Sequence, residues 1–435
     1  MTTTLSISPS IWKLADQVEL FFEENSAITA SIQASSLKSI KAIETQGGAA
    51  RTYKQNRPGW SYSSNYDSHE KLVKQAITMA QQSTPYKQDV GFPVNEGKSG
   101  RTEEYADKYL LEIGLEEVNE IAGSFLEIIN QFDHLSCRAK ISAETKTIRV
   151  INSNGIDVST TLTLFTVFFG VNYYDPSNEM TGGSVWGTYK SRYYDKEVLD
   201  SEINRFAGLA SVNINPIRIQ SIGDIIYSPE CISSLLRRGF APAISAKNVY
   251  LKKSPLTDKV GEELANVAIL NEVADHSSGT SIPFDGEGGQ TRMVTVIDSS
   301  GIFRTFLSDR LHANLLGITA TSNLQRDSYD NYPEIGINNL NIQPRKDAML
   351  FSEMLEETKH GVLANGFSGN VNSANGDFSG LLKGAFLIEN GELGPPLKDI
   401  NVRGNIYELL RQDFTRDAMR SFNDVRAPYV KVKMT

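Results

Sequence analysis

The sequence contains five histidines, and none of them belongs to the local pair that a helical zinc site requires. A protease that binds zinc from a helix places two imidazoles one turn apart, with a glutamate beside the metal-bound water. His69-Glu70 begins such a pattern, but Val73 and Lys74 stand where the second histidine would be needed. We therefore predict that His69 is a lone exposed histidine and not a metal ligand.

Serine and cysteine also fall outside the patterns of nucleophilic catalysis. Residues 182–187, which read GGSVWG, differ by one position from the G-x-S-x-G nucleophile elbow. Cys231 lies at a predicted helix start, where a thiol pKa can be lowered, but no histidine is near it in sequence. Burial as a small side chain is the favoured interpretation. Cys137 and Cys231 form neither a C-x-x-C pair nor a disulfide framework, so we expect a reducing cytoplasm.

Asp285 and Glu287 form an acidic pair within the glycine-rich run DGEGG. Two carboxylates in a flexible loop can serve acid–base chemistry or bind a cation. The same residues also form ordinary acidic turns. An enzyme with a rebuilt site, based on Cys231 or on this acidic pair, is therefore one alternative for the chain.

Charge and composition narrow the classes of function. The 43 basic and 52 acidic residues leave a formal net charge of −9, whereas proteins that grip nucleic-acid backbones carry excess positive charge. Residues 162–171 form the longest apolar-looking run, which is too short to span a bilayer. The first residues have no basic segment leading into an apolar one, so a secretory signal is not expected. We predict no direct contact with nucleic acid or membrane.

Hydrophobic periodicity predicts an N-terminal half that mixes helices with strands. Apolar residues at helical spacing predict a helix over residues 11–21. Alternating runs predict strands at residues 27–34, 36–44, 137–142, 147–151 and 158–171, with a tight turn at residues 143–146. Further helices are predicted over residues 68–80, 103–113, 115–132 and 196–210.

Beyond residue 221 the sequence shifts toward glycine, asparagine and short β runs. A helix is predicted to begin at Ser228-Pro229 and to run through Arg237. Asn390-Gly391 predicts a hairpin turn between strands at residues 385–389 and 393–399. Together these patterns predict an α+β protein: an N-terminal α/β domain (residues 1–100), a middle helix-and-strand region (101–220) and a β-rich C-terminal domain (221–435).

Several segments, taken in order, resemble motifs of the TldD/PmbA (TldE) family. The segment Asn152–Ile156 is similar to a strand-turn motif of the family's N-terminal half. Asp224–Cys231, followed by Leu235-Leu236, resembles the start of its C-terminal domain. The other matching segments are Gly47–Arg51 with Gly59, Phe284–Gly288 with Val294–Leu316, Gly376–Ser379, Ile388–Glu392 and Arg403–Asn405. The matches keep the family's order over nearly the whole chain, which makes the resemblance specific.

This resemblance implies a protein of two parts, an α/β N-terminal region and an unusual β-rich C-terminal domain. Family members pair as a TldD–TldE heterodimer that encloses a cavity, or as homodimers, and the complex cleaves unfolded or modified peptides. In the catalytic TldD-type subunit, a helix carries His-Glu-x-x-x-His directly after a Leu-Leu step. A cysteine near the C-terminus supplies a further zinc ligand.

The chain departs from the family at this zinc motif. After Leu235-Leu236 it continues with Arg237 and Arg238, and Pro242 stands near the place of the second histidine. Both imidazoles and the glutamate are missing, and residues 421–423 hold no cysteine. A guanidinium stays protonated and has no lone pair for zinc, but it can face an acidic group of a partner or a peptide carboxylate. We predict no catalytic residue and no metal ligand here, with zinc only in a TldD-type partner.

The leading prediction is therefore a TldE/PmbA-like subunit that pairs with a TldD-type zinc metallopeptidase. It would complete the chamber and help to hold an extended peptide along exposed strand edges. One alternative is a homodimeric peptide-binding or scaffold protein without protease activity. Another is a modulator of DNA gyrase that acts through protein contact.

Two glycine-bearing loops are the predicted places of peptide or partner contact. The candidate residues are Asp285, Glu287, Gly288, Ser368, Gly369 and Asn370. The competing interpretation is that these glycines form turns that support the fold.

Overall fold

One long, mostly antiparallel sheet forms the centre of the N-terminal half. The computed structural model describes residues 7–65, 68–95, 101–102, 105–175, 180–272 and 282–433. The strands of this sheet are β1 (Gln17–Gln33), β2 (Ser36–Lys54), β3 (Arg57–Ser63), β4 (Arg101–Thr102), β5 (Leu135–Asn152), β6 (Asp157–Asp175) and β7 (Met180–Ser191). They lie in the order β3-β2-β1-β5-β6-β4, and β7 also pairs with β6. The predicted regions 1–100 and 101–220 therefore contribute strands to the same sheet.

Helices pack against this sheet in two clusters. A 3₁₀ turn at Ile11–Lys13 precedes the helices α1 (His69–Gln82), α2 (Lys108–Glu112), α3 (Leu115–Asn130) and α4 (Lys196–Ser211). Helices α3 and α4 bury Phe125, Ile129 and Phe206 against strand residues such as Phe169. Helix α1 forms a separate core with β1. The predicted helices over residues 68–80, 115–132 and 196–210 are confirmed, whereas the one over 103–113 is shorter and residues 103–104 lie outside the described part.

The C-terminal domain combines several smaller sheets with short helices. Its strands are β8 (Asp224–Tyr227), β9 (Ala268–Asn271), β10 (Val294–Ile297), β11 (Leu324–Gln325), β12 (Glu334–Ile335), β13 (Leu340–Gln343), β14 (His360–Ala364), β15 (Gly366–Val371), β16 (Asp377–Lys383), β17 (Ala385–Glu389), β18 (Glu392–Leu397), β19 (Ile400–Asn405), β20 (Asp413–Phe414), β21 (Arg420–Phe422), β22 (Val425–Ala427) and β23 (Val430–Val432). Its helices are α5 (Pro229–Ala243), α6 (Ala246–Tyr250), α7 (Arg310–Leu316), α8 (Phe351–Glu356) and α9 (Ile406–Leu409).

These strands pair in the orders β18-β17-β14-β8-β23-β20, β10-β9-β13-β22-β21, β15-β16-β19 and β11-β12. A shared apolar core lies between the sheets and α5, and Phe240 and Phe303 are among its fully buried residues. The hairpin predicted at Asn390-Gly391 is confirmed, because β17 and β18 pair across it and both turn residues have positive φ. With the sheet-rich N-terminal half, these elements confirm the predicted α+β fold.

Apolar side chains join the two halves of the chain. Phe21, Val150 and Ile156 of the N-terminal half pack in one buried cluster with Phe284, and Tyr329 lies against it. A second cluster brings the N-terminal half into contact with helix α7. The charged residues discussed below lie along this contact.

Two predictions about the N-terminal sheet were wrong. Residues 11–21 do not form a helix, because β1 begins at Gln17 and is buried almost continuously from Val18 to Phe22. A strand buried on both faces has no clear alternation, so its apolar residues also fit a helical spacing. The predicted turn at residues 143–146 lies within β5, which pairs with β1 and with β6 through this segment. The segment contains no glycine, proline or asparagine to break the strand.

Among the helices in the described ranges, none combines the length and the apolar character that crossing a membrane would require.

Candidate functional site

Helix α5 carries Arg237, Arg238 and Pro242, the residues that the resemblance places at the zinc motif. It begins at Pro229, where the hydroxyl of Ser228 accepts a hydrogen bond from the N–H of Cys231 at 3.3 Å, as at many helix starts. Its apolar face is fully buried at Cys231, Ile232, Leu235, Leu236 and Phe240. Arg237 and Arg238 are exposed at the rim of this face. The helix thereby presents both guanidinium groups to neighbouring elements.

Arg237 is held by the C-terminal segment of its own chain. Its Nη1 donates to Oδ2 of Asp424 at 2.9 Å and to the carbonyl of Asn423 at 3.2 Å. Asp424 also accepts a hydrogen bond from Nζ of Lys190 on β7, at 3.0 Å. The acidic group that meets Arg237 thus belongs to this chain and not to a partner. The resemblance places the family's cysteine near Asn423, and the structure brings this segment into contact with Arg237.

Arg238 contacts β15, a strand at the edge of its sheet. Its Nη1 donates to the carbonyl of Gly369 on β15 at 3.0 Å, and its guanidinium lies 5.2 Å from the ring centroid of Phe367. Its Nε also donates to the carbonyl of Ser234, one turn earlier in α5, at 3.3 Å. Burial lowers the pKa of Arg238. Arg238 therefore positions β15.

The donors at this position do not fit a zinc ion. Arg237 and Arg238 have no lone pair to give. Pro242 offers only its carbonyl oxygen, which already accepts a hydrogen bond from Nδ2 of Asn248 at 2.8 Å. Within the part of the chain that the structure describes, no group of three or more His, Cys, Asp or Glu side chains is arranged to hold a metal ion. The residues present here form ion pairs and hydrogen bonds.

Cys231 and His69 are both buried. Burial raises the pKa of the Cys231 thiol, so the helix start does not activate it, and the predicted burial is confirmed. His69 was predicted to be exposed, but it is 9% exposed and packs edge-on against Phe22, with 5.2 Å between the ring centroids. That prediction was wrong because His69 shares the inward face of α1 with Leu72 and Val73, three and four residues later.

The acidic loop at residues 285–289 is buried, in contrast to the flexible loop that the sequence predicts. The carboxylate of Asp285 accepts backbone hydrogen bonds of 2.9 and 3.1 Å from within the loop and of 3.2 Å from Leu324. Gly288 has a φ of +82°, and a Cβ on it would lie 2.6 Å from the side chain of Ile156. Glycine is therefore required where the loop meets the N-terminal sheet.

Glu287 belongs to a buried ion cluster that joins the two halves of the chain. Its Oε2 accepts from Nη2 of Arg51 on β2 at 3.1 Å, and its Oε1 accepts from the N–H of Arg310 at 2.6 Å. Arg51 donates to Glu19, its direct neighbour on β1, at 2.5 and 2.8 Å. Arg326 of the C-terminal domain donates to the same carboxylate. The ion-paired side chains are between 0% and 7% exposed.

Burial favours proton retention at two carboxyl groups of the cluster, Asp285 and Glu287. Glu19, Asp285 and Glu287 lie near the cations of Arg51 and Arg326. Burial raises the pKa of Asp285 to about 7. Burial and the neighbouring Asp285 also raise the pKa of Glu287. These carboxyl groups have partners inside the chain, and their part in peptide or partner contact stays a prediction.

Sequence reasoning missed Glu19, Arg51 and Arg326. One signal was available, because Glu19 stands between the apolar residues Val18 and Leu20. A charged side chain in a buried strand is seldom left unpaired, so its position predicts a partner of opposite charge. Nothing in the spacing indicates that the partners are Arg51 and a residue of the C-terminal domain.

Strand β15 carries the other predicted contact residues, Ser368, Gly369 and Asn370, and all three are exposed. It pairs with β16, and within the described ranges no further strand pairs with its outer edge. Gly369 and Gly380 face each other so closely that a Cβ on either would lie 2.3 Å from a carbonyl oxygen of the opposite strand. Gly369 therefore supports the fold, and its carbonyl is already bound by Arg238.

A cavity of about 500 Å³ lies beside this strand, between β7 of the N-terminal sheet and α5. Its aromatic lining residues are Trp186, Phe206, Phe367 and Phe422. Ser368 also lines it, and the guanidinium of Arg138 lies 4.5 Å from a ring centroid of Trp186. The volume and the mixture of aromatic and polar groups are typical of ligand sites.

Two family models match the chain. The PmbA/TldA metallopeptidase C-terminal domain matches residues 221–435, and the PmbA/TldA metallopeptidase domain 1 matches residues 18–80. An uncharacterized protein of Methanocaldococcus jannaschii is 24% identical over 429 residues, which cover 96% of this chain and 95% of the relative. A zinc metalloprotease TldD homolog of Saccharolobus solfataricus is 31% identical over 199 residues, which cover 44% of each chain.

Solved structures share the fold. TldE from Thermococcus kodakarensis has a TM-score of 0.85 at 22% identity, covering 98% of this chain and 97% of that chain. A Thermotoga maritima protein proposed to be a modulator of a DNA gyrase has a TM-score of 0.84, at the same identity and coverage. The two family models match both the N-terminal sheet and the whole C-terminal domain. The chain therefore belongs to the TldD/PmbA (TldE) family of metallopeptidases, as its motifs indicated.

Proposed function

We propose that the chain is a TldE-type subunit without zinc chemistry of its own, which pairs in the cytoplasm with a TldD-type zinc metallopeptidase. One observation carries the proposal: Arg237 forms an ion pair with Asp424 where the resemblance places metal ligands. A zinc ion cannot bind to a guanidinium, and Asp424 is already shared with Lys190. Zinc-dependent hydrolysis is accordingly assigned to the partner.

The same proposal gives the chain a role in holding unfolded or modified peptides. The outer edge of β15 offers backbone groups to an extended peptide, in the manner of strand addition. The aromatic cavity beside Ser368 offers space for a peptide side chain. Arg238 supports this arrangement, because it fixes the strand at Gly369.

Reconstitution with a TldD-type partner that carries His-Glu-x-x-x-His tests the pairing. Light scattering measures the mass of each protein alone and of the mixture. Hydrolysis of an unfolded, fluorescently labelled peptide is measured for the same three samples, with and without a chelator. We expect a heterodimer and chelator-sensitive hydrolysis that requires the partner. Zinc-dependent hydrolysis by this chain alone would contradict the proposal.

The reconstitution also separates the other two functions. A homodimer that binds the peptide and ignores the partner would favour the scaffold function. Co-purification of gyrase without any peptidase activity would favour the modulator function.

A matched pair of variants tests peptide binding at β15. Ser368→Trp fills the cavity beside the strand, whereas Ala374→Trp adds the same bulk at an exposed residue in the turn after the strand. We expect Ser368→Trp to weaken peptide binding by the heterodimer about tenfold, through loss of the side-chain pocket. Equal affinity of the two variants in a fluorescence anisotropy titration would remove this surface from the proposal.

A further inference from the structure

A second cavity, of about 340 Å³, lies between the N-terminal sheet and the C-terminal domain, next to the ion pair of Arg237. Five cationic side chains line it: Lys146, Lys190, Arg192, Arg237 and Arg326. They come from β5, β7, α5 and the segment after β11, as well as from the residue that follows β7. Elements that are distant in sequence thus bring five cationic side chains to the same cavity.

The carboxyl groups of this cavity do not balance the cations. Those that line it are Glu144, Asp285, Asp327 and Asp424. Asp424 is a single carboxylate shared by Lys190 and Arg237. Burial raises the pKa of Asp285 to about 7, so this group is partly protonated at neutral pH. Arg326 and Lys146 pair with Glu19 and Glu23, which lie outside the lining, so the excess of cations is confined to Lys190, Arg192 and Arg237.

Two buried hydrogen-bond donors in the cavity wall also favour a ligand that accepts hydrogen bonds. Within the described residues, neither Nη1 of Arg326 nor Nδ2 of Asn338 has a hydrogen-bond partner. Both residues line the cavity; the Arg326 side chain is 2% exposed, and Asn338 is 6% exposed. Buried donors are normally satisfied, so the wall lacks acceptors. Burial also lowers the pKa of Arg192 to about 10, which is consistent with a site poor in water.

We propose that this cavity binds an oxyanion, either a carboxylate or a phosphate group. Oxyanions have acceptors but no donors when ionised, which is the complement of this lining. The side chains of Lys190 and Arg237 are 30% and 45% exposed, so the site has an entrance from solvent. The volume admits the anionic group with a few attached atoms. The inference concerns the isolated chain and does not depend on the proposed pairing with a peptidase.

Calorimetric titration of the full chain at low ionic strength tests the site. The probes are inorganic phosphate, an N-acetylated tripeptide of alanine with a free terminal carboxylate, and the amide of the same tripeptide. Saturable binding of phosphate, of the free acid or of both supports the proposal, and their ratio identifies the source of the anion. Binding of the amide as tightly as the acid, without phosphate binding, overturns it. So does the absence of binding by phosphate and by the acid.

Two variants give effects of opposite sign. Lys190→Met removes a cation from the lining and should weaken anion binding about tenfold, whereas Asp424→Asn removes the competing carboxylate and should strengthen it about tenfold. A purely structural role of the Lys190–Asp424 pair would weaken binding in both variants. Lys259→Met, at an exposed residue remote in sequence, is the matched charge control and should leave the affinity unchanged. Equal affinities of parent, Lys190→Met and Asp424→Asn would also overturn the proposal.

Discussion

Two charged regions of this molecule join the same two halves in different ways. At the Glu19–Arg51–Glu287–Arg326 cluster, ion-paired side chains from β1, β2 and the C-terminal domain are almost fully buried. At α5, the side chain of Arg237 is 45% exposed and shares the carboxylate of Asp424 with Lys190. Both regions border the same cavity, through Arg326 in the first and Arg237 in the second, so they differ in the exposure of their ion pairs.

The difference shows that residue types suited to catalysis do not by themselves identify a functional site. Asp285 and Glu287 have the residue types of an acid–base pair, yet both are engaged by partners inside the chain. Arg237, which the resemblance places at the family's metal motif, has no lone pair for a metal, yet it lines a cavity. The first region is thus expected to affect stability, and the second to affect binding.

The largest expected effect is the loss of stability when one cation is removed from the buried cluster. Arg51→Met leaves the carboxylates of Glu19 and Glu287 with one fewer partner, and it should reduce the free energy of unfolding by about 3–5 kcal/mol. Urea denaturation measures this change. Arg149→Met is the control, because Arg149 forms a more exposed pair with Asp157 on the same sheet. We expect the control to lose about 1 kcal/mol or less. Similar losses in the two variants would contradict the assignment.

The second effect is a pH dependence that originates at Asp285. Its pKa is raised in the folded chain, so the folded state holds the proton more tightly than the unfolded state between pH 3.8 and about 7. Stability from this group is therefore lost as the pH rises through that interval, by about 1.4 kcal/mol per pH unit at the steepest. Asp285→Asn should reduce this dependence to the part that Glu287 contributes, as measured by urea denaturation across the interval.

Asp298 provides the control for the pH experiment. Its side chain is 23% exposed, and the hydrogen bond from Arg304 lowers the pKa of its carboxyl group, so its contribution is lost as the pH falls. Asp298→Asn should therefore leave unchanged the loss of stability that Asp285 causes as the pH rises. A parent and an Asp285→Asn variant with parallel pH profiles would show that Asp285 is ionised throughout.

The third effect is a small loss of stability at α5. Arg237→Met removes a half-exposed ion pair, and we expect the free energy of unfolding to fall by about 1 kcal/mol or less. Urea denaturation beside Arg51→Met makes the comparison direct. A loss as large as that of Arg51→Met would mean that the ion pair at α5 stabilises the fold as much as the buried cluster does.

The smallest expected signal is the rate at which the two thiols of the native chain are alkylated. Cys137 and Cys231 are buried, and burial raises the pKa of both. A thiol that is neither exposed nor ionised does not react readily, so native chain should be alkylated by iodoacetamide far more slowly than urea-unfolded chain. Mass spectrometry of the labelled peptides measures each site. Rapid labelling of Cys231 in the native chain would revive the alternative of a rebuilt catalytic site.

Much of the fold follows from local patterns. Helices α1, α3 and α4 were predicted because their apolar residues recur at helical spacing, and the β17–β18 turn because Asn390-Gly391 accepts positive φ. The start of β1 was missed, since a strand buried on both faces lacks the alternation that identifies strands. The continuous course of β5 was missed because partners on both sides hold a polar segment extended.

The candidate site was predicted less completely. The order of the family motifs identified Arg237, Arg238 and Pro242 without any knowledge of contacts. Their partners could not be predicted, because Asp424 and Gly369 lie far from α5 in sequence and reach it only through tertiary packing. The same limit applies to the cluster around Arg51, in which opposite charges meet across four separate segments.

The central claim is that this chain does not itself bind the catalytic metal of its family. Its most direct test is elemental analysis of the full chain purified alone, combined with hydrolysis of an unfolded peptide by the same sample. We predict no stoichiometric transition metal and no chelator-sensitive hydrolysis. One tightly bound transition-metal ion per molecule, lost together with hydrolysis in Arg237→Met, would contradict the account.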